Sequence, residues 1–587
     1  MQTKLKKYDV VICGAGLAGL TLARQLLMQL PNLKLLLIDR LKRPLPHAGF
    51  KVGESTVHPG GTYLCNVLQL REYLDINHIE KYGLRYFFGS HKLDFSSRAE
   101  SGRSVYDAAI NEHQIDRGIF ENDMRQMVVD GGAELLEGAV LKDIELSKLE
   151  DDHVVHFKCN NSNNLQQVKA RWVVDATGRR QFLSRKLGLR QEFESNCSAT
   201  WLHVKGRFDV SDFVPADNRD WHERVSREHP FLSRDRFSRY NSTNHIMGYG
   251  YWIWVIPLVS GSTSVGIVTH NDYHSFSSRN TLDKTMWWLS QHDPLVADRL
   301  QECEVLDFKA IANYAYTSKQ VYSIDRWACT GESAVFSDPF QSPGTDAIAI
   351  ANCYIKELIH SDLESKLTPK LVESINREFI DYSRTLTEMI QSSYPTFYNE
   401  TIGTISVMWY LAWAMSFVVP NMRFRIYKDG YITSYGAISK EEYKTIEEIN
   451  QLGLLTSRFI RDWGIEKKQR PDRDGYQWMN LWHVPFFSEY RTRMLTQGSP
   501  QWAGNLKKLK HFAAAIFLVA TEEIHPETFQ KLPAQFVPNV NVLSINPSHW
   551  INDGLYDSDS DIDWESCMLI YSDLKKAFYS KTMVSQT

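Results

Sequence analysis

A chain of 587 residues exceeds what one core holds, so about two or three packed subdomains are expected. Its formal charge of −4, with 43% hydrophobic and 23% charged residues, suits a soluble globular protein. It excludes nucleic acid as the main partner, because phosphate binding needs a concentrated basic surface. The eight cysteines contain no C-x-x-C pair, which argues against a disulfide frame or zinc site and for reduced thiols in the cytoplasm.

Lys4, Lys6 and Lys7 precede an apolar stretch and mimic a signal peptide, but no small-residue cleavage site follows. Residues 8–13 (YDVVIC) read instead as a strand running into Gly14, Gly16 and Gly19 (G-A-G-L-A-G) and then a helix. A second apolar run, 35–38, ends at Asp39, giving one βαβ unit. The first glycine permits the tight turn, the second lets backbone approach a pyrophosphate, and the third lets helix pack on strand. Asp39 is then placed for a ribose. Residues 160–164 (NNSNN) read as a turn between two strands.

From about 195 to 310 the chain is strand-like, with a Ser-Gly hairpin between 251–258 and 262–269. Trp252 and Trp254 fall on one face of the first of these strands, Ile253 and Val255 on the other. Helical periodicity takes over from Ala347. The uncharged run 401–422 is long enough to cross a bilayer, but it holds Gly403 and Pro420 between polar segments and reads as a buried core helix without stable membrane insertion. The acidic run 553–565 reads as solvated loop rather than a metal site.

Residues 172–178 (WVVDATG) and 331–344 (GESAVFSDPFQSPG) point to FAD. They resemble the FAD-dependent monooxygenase superfamily, which has a D-x-x-G strand end near the nucleotide and a G-D-x-x…D-P motif around ribityl and flavin. The resemblance implies cofactor contacts from Asp175, Gly178, Asp338, Ser342 and Thr345. Glu332 stands where that motif usually has Asp. The expected architecture is α/β. A Rossmann-like FAD-binding domain spans 1–190 and 311–355, a β-sheet substrate region is inserted over 191–310, and 356–587 is mainly helical. No second G-x-G-x-x-G follows a strand, so reduced FAD is expected from a separate flavin reductase.

Within the superfamily, residues 1–350 look like the flavin-dependent halogenases. Residues 51–56 (KVGEST) match a G-E-[AS] loop beside the flavin, which implies that Glu54 and Ser55 lie at the cofactor. Residues 252–257 (WIWVIP) match W-x-W-x-I-P, which implies that Trp252 and Trp254 keep substrate off the flavin and suppress hydroxylation. Lys81, followed by Gly83, Tyr86 and Gly89, resembles the segment carrying the family's essential lysine. Hypohalous acid is small and indiscriminate, and an amine holds it and delivers halogen to one ring carbon. A solvated lysine capped by Gly83 is the plainer reading.

Two positions depart from the family. The halide turn there is Ser-[Ser/Thr]-Gly, whereas here Pro343 lacks an N–H, leaving Gly344 and Thr345 as donors. Gln341 replaces the Glu of the tryptophan-type members. The expected reaction is halogenation of an indole, phenol or pyrrole, with halide as co-substrate and bromide preferred. An aromatic hydroxylase, acting on a small molecule or a Trp/Tyr side chain, is the alternative. A flavin-binding assembly protein without turnover is a third reading.

Overall fold

The computed structural model describes residues 5–46, 51–102, 111–149, 151–160, 164–194, 196–225, 239–427, 439–470, 476–557 and 561–579. Lys4, the middle of the 160–164 turn and residues 558–560 of the acidic run lie outside the described residues. Strand β1 (Lys7–Cys13), helix α1 (Leu17–Gln29) and strand β2 (Leu35–Asp39) form the first unit. Strand β3 (Gln166–Asp175) lies parallel to β1 on its other side. The register pairs Cys13 with Ile38 and with Asp175, so the Gly14 turn, Asp39 and the turn after Asp175 share one sheet edge. Ligands bind at the carboxyl edge of such parallel strands.

The glycine turn is set by backbone contact. Gly14 has φ +117, and a Cβ there would lie 2.1 Å from the Ala176 carbonyl oxygen. A Cβ on Gly19 would lie 2.0 Å from the Gly14 carbonyl oxygen. At Gly16 the space is open, with nothing nearer than Lys51 Nζ at 3.7 Å. Two glycines therefore serve the fold, while Gly16 leaves an approach to the backbone.

A second sheet of eight strands supplies the wall of the site. At its centre lie β4 (Cys197–Lys205), β5 (Thr243–Gly248), β6 (Tyr251–Pro257), β7 (Ser262–His270) and β8 (Val305–Ile311). Their order is β8-β4-β7-β6-β5, and Leu84–Phe88, Ala99–Gly102 and Trp478–Asn480 complete the sheet beyond β5. Side chains alternate between two apolar faces. Ile253 and Val255 pack into one core with Trp288 and Leu289, while Trp252 and Trp254 join the main core on the other face. The sheet thus draws strands from before 191 and after 356 as well as from 191–310. Such long-range pairing has no local signal in the chain.

Helices α2 (Gly344–Leu363), α3 (Pro369–Ser393), α4 (Glu400–Ser416) and α5 (Lys440–Lys467) follow. The apolar segment Glu400–Ile426 is long enough to cross a membrane, but 89% of its most apolar window is buried inside the fold. Two indole N–H groups of α4 are satisfied by α5: Trp409 donates to the Gly453 carbonyl and Trp413 to Asn450 Oδ1, each at 3.0 Å. These contacts identify a core helix. All eight cysteines are free thiols.

The two glycine roles separate experimentally. Gly19→Ala should lower the stability of cofactor-free protein by about 1–3 kcal/mol through overpacking, read by thermal unfolding. Gly16→Ala should unfold normally yet bind FAD at least about tenfold more weakly, a loss of about 1.4 kcal/mol in a flavin titration.

Candidate active site

At the glycine turn, Asp39 ends β2. Its carboxylate accepts the Ala15 N–H at 2.6 Å and the Leu41 N–H at 2.7 Å, and pairs with Arg125 at 3.2 Å. A carboxylate offers about four acceptor sites, so capacity remains for a ribose hydroxyl. In front of Gly16, Glu121 is gripped by Lys51 and by Arg117. Burial would raise the Glu121 carboxyl, but these two cations outweigh it and hold it below its usual range. Arg117, at the start of its helix behind the Asp116 cap, and Lys51 are cations that motif reading did not single out.

Asp175 and Gly178 stand one layer behind the cavity. The Asp175 carboxylate is spent on Thr177 and on the Leu183 N–H at 2.7 Å, and the Gly178 N–H goes to Ser333 Oγ at 2.9 Å. They build the turn that presses on Gly14 rather than lining the pocket. Glu332 does line it and pairs with Arg179 at 3.2 Å.

The cavity holds about 1150 Å³ of empty space, part of it open to solvent. One wall is the inner face of the second sheet: Trp201, Thr243, His245, Trp252 and Trp254. Glu54, Ser55, Ser342, Gly344 and Thr345 also line the cavity, the first two bonded to that sheet. Asp338 is buried there, with its carboxylate taken by Tyr314, Tyr394 and the Phe340 N–H at 2.6, 2.7 and 2.9 Å. Burial raises the Asp338 carboxyl, and the tyrosine hydroxyls counter this. Trp252 Nε1 donates to the Tyr394 hydroxyl at 3.0 Å, so Asp338 fixes the wall through Tyr394, a residue of the helical region.

Lys81 is buried rather than solvated. Its ammonium donates to Ser55 Oγ at 3.1 Å and to the Thr56 carbonyl, and it pairs with Glu112 at 3.2 Å. Two of these are hydrogen bonds and the third is a charge pair. Ser55 Oγ also receives the Ser342 hydroxyl at 3.0 Å and lies 2.8 Å from Thr243 Oγ1. With two bonds accepted, Ser55 donates its own proton to Thr243. Lys81 does not line the cavity; it stands one hydroxyl behind it, joined to the 342–345 turn through Ser55.

That turn is strained. Gln341 (φ +70) and Ser342 (φ +59) both lie in the left-handed region, at about 1–2 kcal/mol each. Pro343 caps α2, and nothing lies within 4 Å of a Cβ built on Gly344, so its backbone faces open space. Gln341 Oε1 accepts the Tyr86 hydroxyl at 2.7 Å.

Glu54 carries partners that no motif announced. Its Oε1 accepts from His203 Nε2 at 2.7 Å, and His203 Nδ1 donates to Asp307 Oδ1 at 2.8 Å. Burial opposes charge on His203, but the Glu54 and Asp307 carboxylates override it and push its pKa up to about 10. Glu54 Oε2 is buried without a hydrogen-bond partner in the protein. The open backbone at Gly16 and Gly344, the adjacent cations and this unmet acceptor on a large, largely apolar cavity fit FAD.

No family model matches the chain. It is 30% identical over 381 residues to the flavin-dependent halogenase chlA of Dictyostelium discoideum, covering 62% of this chain and 61% of that protein. It is 27% identical over 347 residues to a brominase of carrier-protein-bound 1H-pyrrole-2-carbonyl from Pseudoalteromonas luteoviolacea, covering 58% and 74%. The chain thus spans less than two thirds of the first relative. Its fold is similar to that of halogenase PltM in complex with phloroglucinol and FAD, with TM-score 0.60, 17% identity, and 89% of this chain and 94% of that one covered.

The Glu54–His203–Asp307 cluster makes a pH prediction. Because the folded pKa of His203 is raised from 6.5 to about 10, its stabilisation is whole below about pH 6.5 and is lost as pH rises through about 10. His203→Gln should be about 3–5 kcal/mol less stable at pH 7, since it leaves a buried carboxylate unpaired. Denaturant unfolding from pH 6.5 to 10 should show a decline in the native protein that the variant lacks.

Proposed function

We propose that the chain, similar over more than half its length to flavin-dependent halogenases, uses FAD to halogenate an electron-rich aromatic, an indole, phenol or pyrrole. The observation that carries this is Lys81, a buried ammonium held one hydroxyl behind the Ser342–Thr345 turn. Bound FAD, when reduced, supplies with dioxygen the oxidising power that turns halide into hypohalous acid. A separate reductase would deliver the reduced cofactor, a reading supported by the single glycine turn of the sequence.

The chain's own residues supply binding and direction. Backbone N–H groups at Gly16 and the start of α1 would hold the pyrophosphate, with Lys51 and Arg117 adding positive charge and Asp39 taking ribose. The indoles of Trp252 and Trp254 fill the wall and keep an aromatic from the ring edge where it would be hydroxylated. Gly344 and Thr345 N–H groups would hold halide at the start of α2. Lys81 then grips hypohalous acid by releasing one of its three contacts, Ser55 being the one that faces the cavity. A carbon–halogen bond forms as the halogen–oxygen bond breaks. The ring proton and the departing hydroxide leave as water.

Lys81→Ala should reduce halogenated product by about 100-fold or more while FAD binding and flavin reoxidation persist. Product mass decides the reading: a product heavier by one oxygen, with no halogen from either halide, would overturn it. Pro343 makes a second prediction. In competition between equal chloride and bromide, bromide should be favoured, because chloride leans more on backbone donors. Pro343→Thr should strengthen halide binding by about 0.5–1.5 kcal/mol and move the product ratio toward chloride.

A further inference from the structure

Glu54 and Ser55 are neighbours whose side chains serve opposite sides of their loop. Ser55 forms a bridge with Gln114, so the backbone there is extended and successive side chains diverge. Ser55 turns to Lys81 and Ser342, the side where halogen is handled. Glu54 turns the other way, to His203 on β4. Both line the cavity.

The Glu54 side chain is almost wholly buried, at 1% exposure, and only one of its oxygens is used. His203 has no donor left for the second, since its other nitrogen serves Asp307. A buried carboxylate oxygen without a donor is costly, and in native proteins a ligand, a water or an ion commonly completes it. Of these, Glu54 lines the cavity where a ligand can reach it. Two positions along the same face of β4, Trp201 lines the cavity with its buried indole N–H also unpaired. An unmet acceptor and an unmet donor on one wall call for a planar ligand edge bearing both N–H and carbonyl groups.

We propose that Glu54 Oε2 accepts a hydrogen bond from a ring N–H of the FAD isoalloxazine, and that His203 and Asp307 are positioning residues that hold it there. This rests on the reading that FAD occupies this cavity. Two electrons and two protons convert the oxidised ring to its neutral reduced form. A negative oxygen at a ring N–H opposes loss of a proton from that form. It also disfavours negative charge building on the ring as electrons enter, so it lowers the midpoint potential. The carboxylate therefore keeps the reduced cofactor strongly reducing and protonated.

The test is an anaerobic redox titration of the FAD-loaded full chain with dithionite against a reference dye. Glu54→Gln should favour reduced over oxidised FAD by about tenfold, a midpoint about 30 mV more positive. Asp307→Asn, one residue further from the cavity, should shift it in the same direction by less. An unchanged midpoint in Glu54→Gln with FAD affinity retained overturns the assignment. If that variant does not fold, an unchanged midpoint in Asp307→Asn overturns it. The shift is expected whatever the aromatic product, so it fails separately from the halogenase reading, whose failure appears in product mass.

Discussion

The site depends on one short loop, residues 53–56, being clamped between a sheet and a buried ammonium. Ser55 meets Lys81, Ser342 and Thr243 at a single hydroxyl, and the Thr56 carbonyl takes a further Lys81 donor. Glu54 is tied to the same sheet through His203. All but the Ser342 contact are buried, where an unpaired polar group costs about 1–3 kcal/mol, so they do not slacken cheaply. The loop therefore has one position, and the lysine, the 342–345 turn and the sheet wall are registered against each other through it.

Alternation in the second sheet does the rest. A strand buried on both faces puts every second side chain on each side, and this sheet uses one face for a core against the Leu282–His292 helix and the other for the cavity. Trp201 and His203 share a face of β4 as Trp252 and Trp254 share one of β6. The indoles are pinned in turn: Trp254 donates to Ser264 at 3.1 Å and Trp252 to Tyr394. With their N–H groups spent inside the protein, these aromatics present fixed apolar faces to the cavity.

Tyr394 also explains why the helical region belongs to the site. It reaches back from the end of α3 to Asp338, so the D-P motif supports the wall from behind. The departures at Gln341 and Pro343 sit beside it in a strained turn. Gln341 is neutral and bonded to Tyr86, so this position of the turn carries no carboxylate. Pro343 removes a donor but presets the backbone that begins α2.

The sequence by itself determined what is local: the β1–α1–β2 unit with its three glycines, the Trp252/Trp254 face, the core helix inside 401–422, and the family signal around 51–56 and Lys81. Each is written in adjacent residues, because turn geometry, side-chain period and apolar length act over a few positions. Only the tertiary structure decided which polar groups meet. Lys81 and Glu112, Glu54 and His203, and Asp338 and Tyr394 are paired across long stretches of chain with no spacing rule to announce them. It also set Asp175 and Gly178 behind the cavity and brought Leu84–Phe88 and Trp478–Asn480 into the eight-stranded sheet. Strand pairing and buried ion pairs are set by the closing of the whole core, and their energies depend on burial that no single segment possesses before the chain has folded.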